Sequence, residues 1–91
     1  MWKPFAIIED DYSMIWKNEN GYYLIGGMKD DGTFKIEFSL VTDNLDKYLR
    51  FCDFDEITEE SESRNRNMIE AGEKAIKENE YYLDMLGKNL G

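Results

Sequence analysis

The spacing of apolar positions changes part-way along the chain, and the change predicts where strands give way to helices. Phe34, Ile36, Phe38 and Leu40 alternate with Thr33, Lys35, Glu37 and Ser39. This is period two, with one buried face and one wet face. Met14 and Trp16 alternate in the same way with Ser13, Ile15 and Lys17, and Tyr22-Tyr23-Leu24-Ile25 is a second β-rich run. Asn18-Glu19-Asn20-Gly21 and Lys29-Asp30-Asp31-Gly32 separate these segments. Their Asn-Gly and Asp-Gly pairs tolerate the positive φ that tight hairpins need. Three strands joined by two tight turns make an antiparallel meander, and Phe5–Ile8 offers a fourth strand. Trp16, Tyr22, Tyr23 and Phe34 cannot all point inward if strands alternate. Met14, Trp16, Leu24, Phe34, Ile36, Phe38 and Leu40 are assigned to the core. Gly26-Gly27, inside a strand, marks a bulge or a close backbone approach.

After residue 41 the period becomes helical. Thr42, Asp43 or Asn44 can cap a first helix over 42–54, with Leu45, Tyr48, Leu49 and Cys52 on one face. Residues 55–63 form an acidic connector or the start of a second helix, capped by Asp55 or Thr58. A helix over 64–90 follows. No proline interrupts it, and Glu60–Arg64, Glu62–Arg66, Glu70–Lys74 and Glu73–Lys77 are i,i+4 pairs in the favourable order. Ile69, Ile76, Leu83 and Leu90 recur every seven residues, with Gly72, Asn79 and Leu86 on the neighbouring stripe. An unbroken helix from Glu59 to Leu86 would be about 42 Å long. A compact domain of this size has a radius of gyration of about 12 Å. The helix therefore either projects or breaks in the polar stretch Ser61–Asn67. The expectation is one α+β domain over 1–91: a three- to four-stranded antiparallel meander in the N-terminal half (1–41), packed by two C-terminal helices, the second long.

Composition limits function more than fold. With 91 residues and 42% hydrophobic content the chain can bury one modest core. It carries 20 acids against 11 bases, a net charge of −9. Residues 51–91 hold eleven of those acids and only five bases. Such an excess disfavours direct binding to nucleic acid or to anionic membranes. From Asp53 to Glu62 there are six acids and no base. The four apolar residues Phe5–Ile8 are fewer than the roughly seven to fifteen of a secretion signal. No apolar run approaches the ~20 residues needed to span a bilayer. Cys52 is the one cysteine, which suits a reducing cytoplasm.

The residue types that carry chemistry are mostly missing. There is no histidine, which removes His-dependent nucleophilic catalysis and the usual zinc ligand sets. Cys52 is expected to be a buried structural thiol. Gly26-Gly27 lacks the lysine of a phosphate-binding loop. Asp53-x-Asp55 begins like a calcium loop, but Thr58 stands where that loop needs glycine and Arg64 where it needs glutamate. Glu9-Asp10-Asp11 and Asp30-Asp31 read as solvated turns. A glycosidase-type carboxylate pair would need a deep cleft. No catalytic residue, metal site or cofactor is expected.

The function expected from these residues is non-enzymatic: a small acidic protein that binds and inhibits a basic protein, whether as a DNA mimic of phage or mobile-element type against a nucleic-acid-handling target or as an immunity-type protein. Its binding face would be Asp53, Asp55, Glu56, Glu59, Glu60 and Glu62, acids at separations similar to those of phosphates. The alternative is a structural or regulatory module that dimerises or docks on a partner helix through Ile69, Ile76, Leu83 and Leu86.

Overall fold

A computed structural model describes residues 1–8, 12–46 and 53–90, the side chains of 87–90 excepted. It has the expected α+β class: an antiparallel sheet with C-terminal helices packed on one face. The strands are β1 (Lys3–Ile8), β2 (Ser13–Lys17), β3 (Tyr23–Met28), β4 (Phe34–Ile36) and β5 (Phe54–Glu56), and a 3-10 turn spans Phe38–Leu40. The helices are α1 (Glu59–Arg64), α2 (Arg66–Glu78) and α3 (Glu80–Leu90). Sheet order is β4-β3-β2-β1-β5. The first four strands are the meander. The fifth returns from beyond the middle of the chain to pair antiparallel with β1, Ala6 opposite Glu56 and Ile8 opposite Phe54.

Both hairpins form where their turn residues sit. Gly21 and Gly32 hold φ of 86° and 84°, which a side chain would resist. Asn18 Oδ1 accepts the N–H groups of Asn20 (3.0 Å) and Tyr22 (2.9 Å), closing the first turn. In the second, Asp31 Oδ1 accepts the Thr33 N–H at 3.0 Å and the Thr33 hydroxyl at 2.6 Å. The Thr33 hydroxyl, then its backbone N–H, hold the Asp31 carboxyl below the ordinary aspartate value.

The main core lies between sheet and helices. Met14, Trp16, Leu24, Phe34 and Ile36 are buried there with Ile7, Met68, Ile69, Ile76 and Leu83; Phe38 packs against them half-buried. α2 runs over β3 and β4. It comes down onto Trp16 at Gly72, where a Cβ would lie 2.5 Å from Trp16 Cζ2. Gly26 does the same for Phe34: a Cβ there would lie 2.3 Å from the ring. Gly26-Gly27 is thus a close approach. The bulge lies in β1, where the register shifts between Pro4 and Ala6. It turns both Phe5 and Ala6 to the far face of the sheet.

That far face is the first departure from the sequence reading. Ile15, grouped there with the polar positions Ser13 and Lys17, is fully buried beside Ala6 and Ile25, with Phe5, Ile8, Tyr23, Leu40 and Leu45 packed around them. The sheet is apolar on both sides, and Leu40 belongs to this second cluster. Of the helix expected over 42–54, residues 47–52, with Tyr48, Leu49 and Cys52, lie outside the described residues, as do Glu9, Asp10 and Asp11. Of its described positions, Asp46 is helical, while Thr42 bridges to Tyr23 and Phe54 is in β5. Phe-Asp-Glu has no strand pattern of its own; pairing with β1 imposes one.

The second departure is in the long helix, which bends rather than projects. The first bend, at Asn65, falls in the polar stretch expected to break. The second, at Asn79, was not expected. The two residues hold φ near −111° and −115°. Each turns its side-chain amide back onto the carbonyl four residues earlier, Asn65 Nδ2 to Ser61 (2.8 Å) and Asn79 Nδ2 to Ala75 (2.7 Å). Such bonds compete with the helical ladder and bend it. None of the four expected i,i+4 pairs closes. The ion pairs among the described residues join the N-terminus to Glu19, Lys29 to Asp31 and Lys35 to Glu37. Solvated side chains gain too little from pairing to hold one geometry.

Two outcomes follow. In an exposed helix, glycine to alanine stabilises by about 1 kcal/mol. Gly72→Ala is expected instead to lower the urea midpoint followed by tryptophan fluorescence, because overpacking of about 1–3 kcal/mol outweighs that gain. A raised midpoint would show that the helix does not rest on Trp16. For Asp31, the folded pKa is depressed, so its stabilisation is complete above the ordinary aspartate range and fades as pH falls through the folded value. The difference in melting temperature between the native chain and Asp31→Asn is therefore expected at pH 7 and to shrink and vanish as pH falls below the folded value.

Candidate functional site

The six acids singled out in the sequence fall on one continuous stretch of surface. Asp53 leads into β5, Asp55 and Glu56 lie on it, and Glu59, Glu60 and Glu62 fill the first turns of α1. All six are exposed. β5 is the outermost strand on its side of the sheet, so the acids occupy a rim rather than a cleft.

Local chemistry fixes the corner between strand and helix. Thr58 is the N-cap. Its hydroxyl accepts the Ser61 N–H at 3.2 Å while Ser61 Oγ accepts the Thr58 N–H at 2.8 Å, a reciprocal capping box. Ile57 N–H donates to the Phe5 carbonyl at 2.9 Å, tying the corner to the sheet. The cap leaves Glu59, Glu60 and Glu62 in the first turns of α1, where the helix dipole favours negative charge.

Within this stretch no acid has an ion-pair partner among the described residues. The nearby cation in sequence, Arg64, is exposed and lines an open groove of about 280 Å³ with Ile7, Asp55, Ser61 and Asn65. Among the described residues no group of three or more histidine, cysteine, aspartate or glutamate side chains could hold a metal ion. The carboxylates are strung along the rim, an arrangement that presents charge outward.

The seam of the alternative reading is placed differently. Ile69, Ile76 and Leu83 are buried in the chain's own core, Leu83 to 2% exposure, and Leu86 packs against it half-buried. As placed, these side chains are taken up by the chain's own core. What α3 does leave outside is Tyr81, Tyr82 and Met85, with Tyr82 edge-on to Phe38 at 4.9 Å between ring centroids. No heptad signal marked these residues, because they stand off the seven-residue repeat.

Sequence reasoning also missed the aromatic corner behind the acidic rim. Phe54, 36% exposed, lies 6.3 Å from Phe5, which meets Tyr23 edge-on at 5.5 Å. Lys17 Nζ stands 5.7 Å from the Phe5 centroid and 5.4 Å from that of Tyr23, a distance at which a cation is drawn to a ring face. The bulge in β1 makes this corner, and no local pattern announces that bulge.

Comparison with family models, curated proteins and solved structures gives no match. Among the described residues no helix is long and apolar enough to cross a membrane.

The burial of the seam has a direct test. Leu83→Ala is expected to cost about 2–5 kcal/mol in urea unfolding, and Ile76→Asp to unfold the chain, with no shift in the sedimentation mass of the folded fraction of either. A variant that kept its stability but changed its mass would place the seam at an interface.

Proposed function

We propose that this chain is a small acidic, non-enzymatic protein that binds a basic protein surface and inhibits it by occupying it. The observation that supports this best is the cluster of six exposed carboxylates between Asp53 and Glu62 along one rim, none of them ion-paired among the described residues. Paired acids would be spent on the fold. Beyond the helix-dipole contribution of the three glutamates in α1, these make no ion pair among the described residues, and bringing six like charges together on a short stretch costs energy that a cationic partner returns. The basic surfaces that best match such a rim are those built for a phosphate backbone, so the favoured target is a protein that handles nucleic acid. The same charge works against the chain binding nucleic acid or an anionic membrane itself.

The competing reading, a module that pairs through its C-terminal helix, loses its main support with the burial of Ile69, Ile76 and Leu83.

Electrostatic capture is fast and falls with salt. Screening shortens the reach of a surface charge from about 10 Å at 0.1 M salt to about 3 Å at 1 M. The triple reversal Glu59→Lys, Glu60→Lys, Glu62→Lys should leave the melting temperature within a few degrees, since surface changes of this kind move stability by about 0.5 kcal/mol each. Affinity capture at low and high salt tests the rest. Basic proteins should be retained by the native chain at low salt, released at high salt, and not retained by the reversed chain. Turnover of a substrate by the pure protein, or a target held equally at both salt concentrations through a neutral surface, would sink the proposal.

A further inference from the structure

The acidic rim is also the open edge of a sheet. Residues opposite one another in an antiparallel pair alternate between those that exchange backbone hydrogen bonds and those that do not. Ile57 N–H bonds to the Phe5 carbonyl, so position 57 faces β1, and two residues back Asp55 does as well, opposite Ile7. The N–H and C=O groups of Phe54 and Glu56 therefore point outward. β5 ends the sheet, and among the described residues nothing pairs with those groups. An edge of this kind is a template for another strand. Side-chain direction follows from the same register: Phe54 and Glu56 lie on the face that carries Ala6 and Ile8, and Asp55 lies on the helix face with Ile7.

We propose that β5 takes up an extended, lysine- or arginine-rich segment of its partner as an added antiparallel strand. This rests on the reading of the acidic rim given above and names how that rim is used. Charge selects the occupant. A second copy pairing symmetrically through β5 would set Phe54 against Glu56 and Asp55 against its own counterpart. Asp55 would sit there at a non-hydrogen-bonded position, where opposed Cα atoms are only about 4.5 Å apart, and like charges directly opposite destabilise a ladder. A cationic strand reverses that sign at Asp55 and at Glu56, and its ends run past Asp53 on one side and towards Glu59 and Glu60 on the other. On the far face an arginine beside Phe54 would meet an exposed ring next to the pair that already holds Lys17. The other end of the sheet offers no such selection, since β4 carries Lys35 paired to Glu37.

The probes are short synthetic peptides, added to the full chain. One alternates valine or threonine with arginine; a second has the same composition with alternate backbone amides N-methylated; a third replaces arginine with glutamate. Fluorescence anisotropy at low salt is expected to rank the first tightest, the methylated peptide about tenfold or more weaker through one or two lost hydrogen bonds, and the acidic peptide unbound. The amide hydrogens of Phe54 and Glu56 should slow in exchange when the first peptide binds. Glu56→Pro removes an outward N–H without touching the β1 ladder and should weaken the first peptide alone. Equal affinity for the two cationic peptides, with no protection at Phe54 and Glu56, would overturn strand addition and leave the acidic rim as a purely electrostatic surface. Binding of neither would overturn both readings. A concentration-dependent dimer that protects those same amides without peptide would show that the edge belongs to a second copy.

Discussion

The contact between Gly72 and Trp16 governs how the two layers of this protein meet. The indole is the largest fully buried side chain, and it lies under a helix residue that has no side chain. Helix and sheet can approach until ring meets backbone, and Ile69 and Ile76, one turn to either side along α2, then drop into the core beside it. The close fit leaves Trp16 Nε1 without a hydrogen-bond partner among the described residues. An unmet buried donor costs about 1–3 kcal/mol. The surface of a large ring removed from water at the centre of the sheet offsets such a cost.

With the helix seated in this way, the remainder of the chain sorts itself by what is left to cover. The helical run breaks at Asn65 and Asn79 instead of continuing as one straight rod. Leu83 is thereby brought back into the core while Tyr81 and Met85 stay outside. The short α1 diverges before the first bend, buries nothing, and carries its glutamates at the margin of the fold. Burial and charge are thus divided within a single helical run. The portion after Asn67 serves the core, and the portion before it serves the surface.

How much of this could be read from the sequence depends on how local each cause is. The meander was legible because its turns are written in neighbouring residues, Asn18 to Gly21 and Lys29 to Gly32, and its inward face in the alternation of Phe34, Ile36, Met14 and Trp16. β5 was not legible, since Phe54-Asp55-Glu56 becomes a strand only when β1 lies beside it. Nor was the second buried face: Ile15 sits between residues whose polarity suggested solvent, and the bulge that turns Phe5 and Ala6 to that side depends on pairing. The bend at Asn79 was hidden because asparagine in a seam reads as a weak core position until its amide is seen on the Ala75 carbonyl. Among site residues, the six acids stood out by composition alone. That they form a sheet margin with outward backbone groups required the topology.

The pairing of β1 with β5 has a kinetic consequence. Ala6 meets Glu56 fifty positions downstream, whereas the hairpins and helices close over short spans. Ordering a chain segment of that length is slow compared with forming a turn. The carboxylate-bearing margin is therefore expected to assemble after the meander, and to be complete only in molecules that have finished folding. Whatever docks there would select mature chains over nascent or partly opened ones. Docking would also hold this closure shut, so occupancy and resistance to unfolding should rise together.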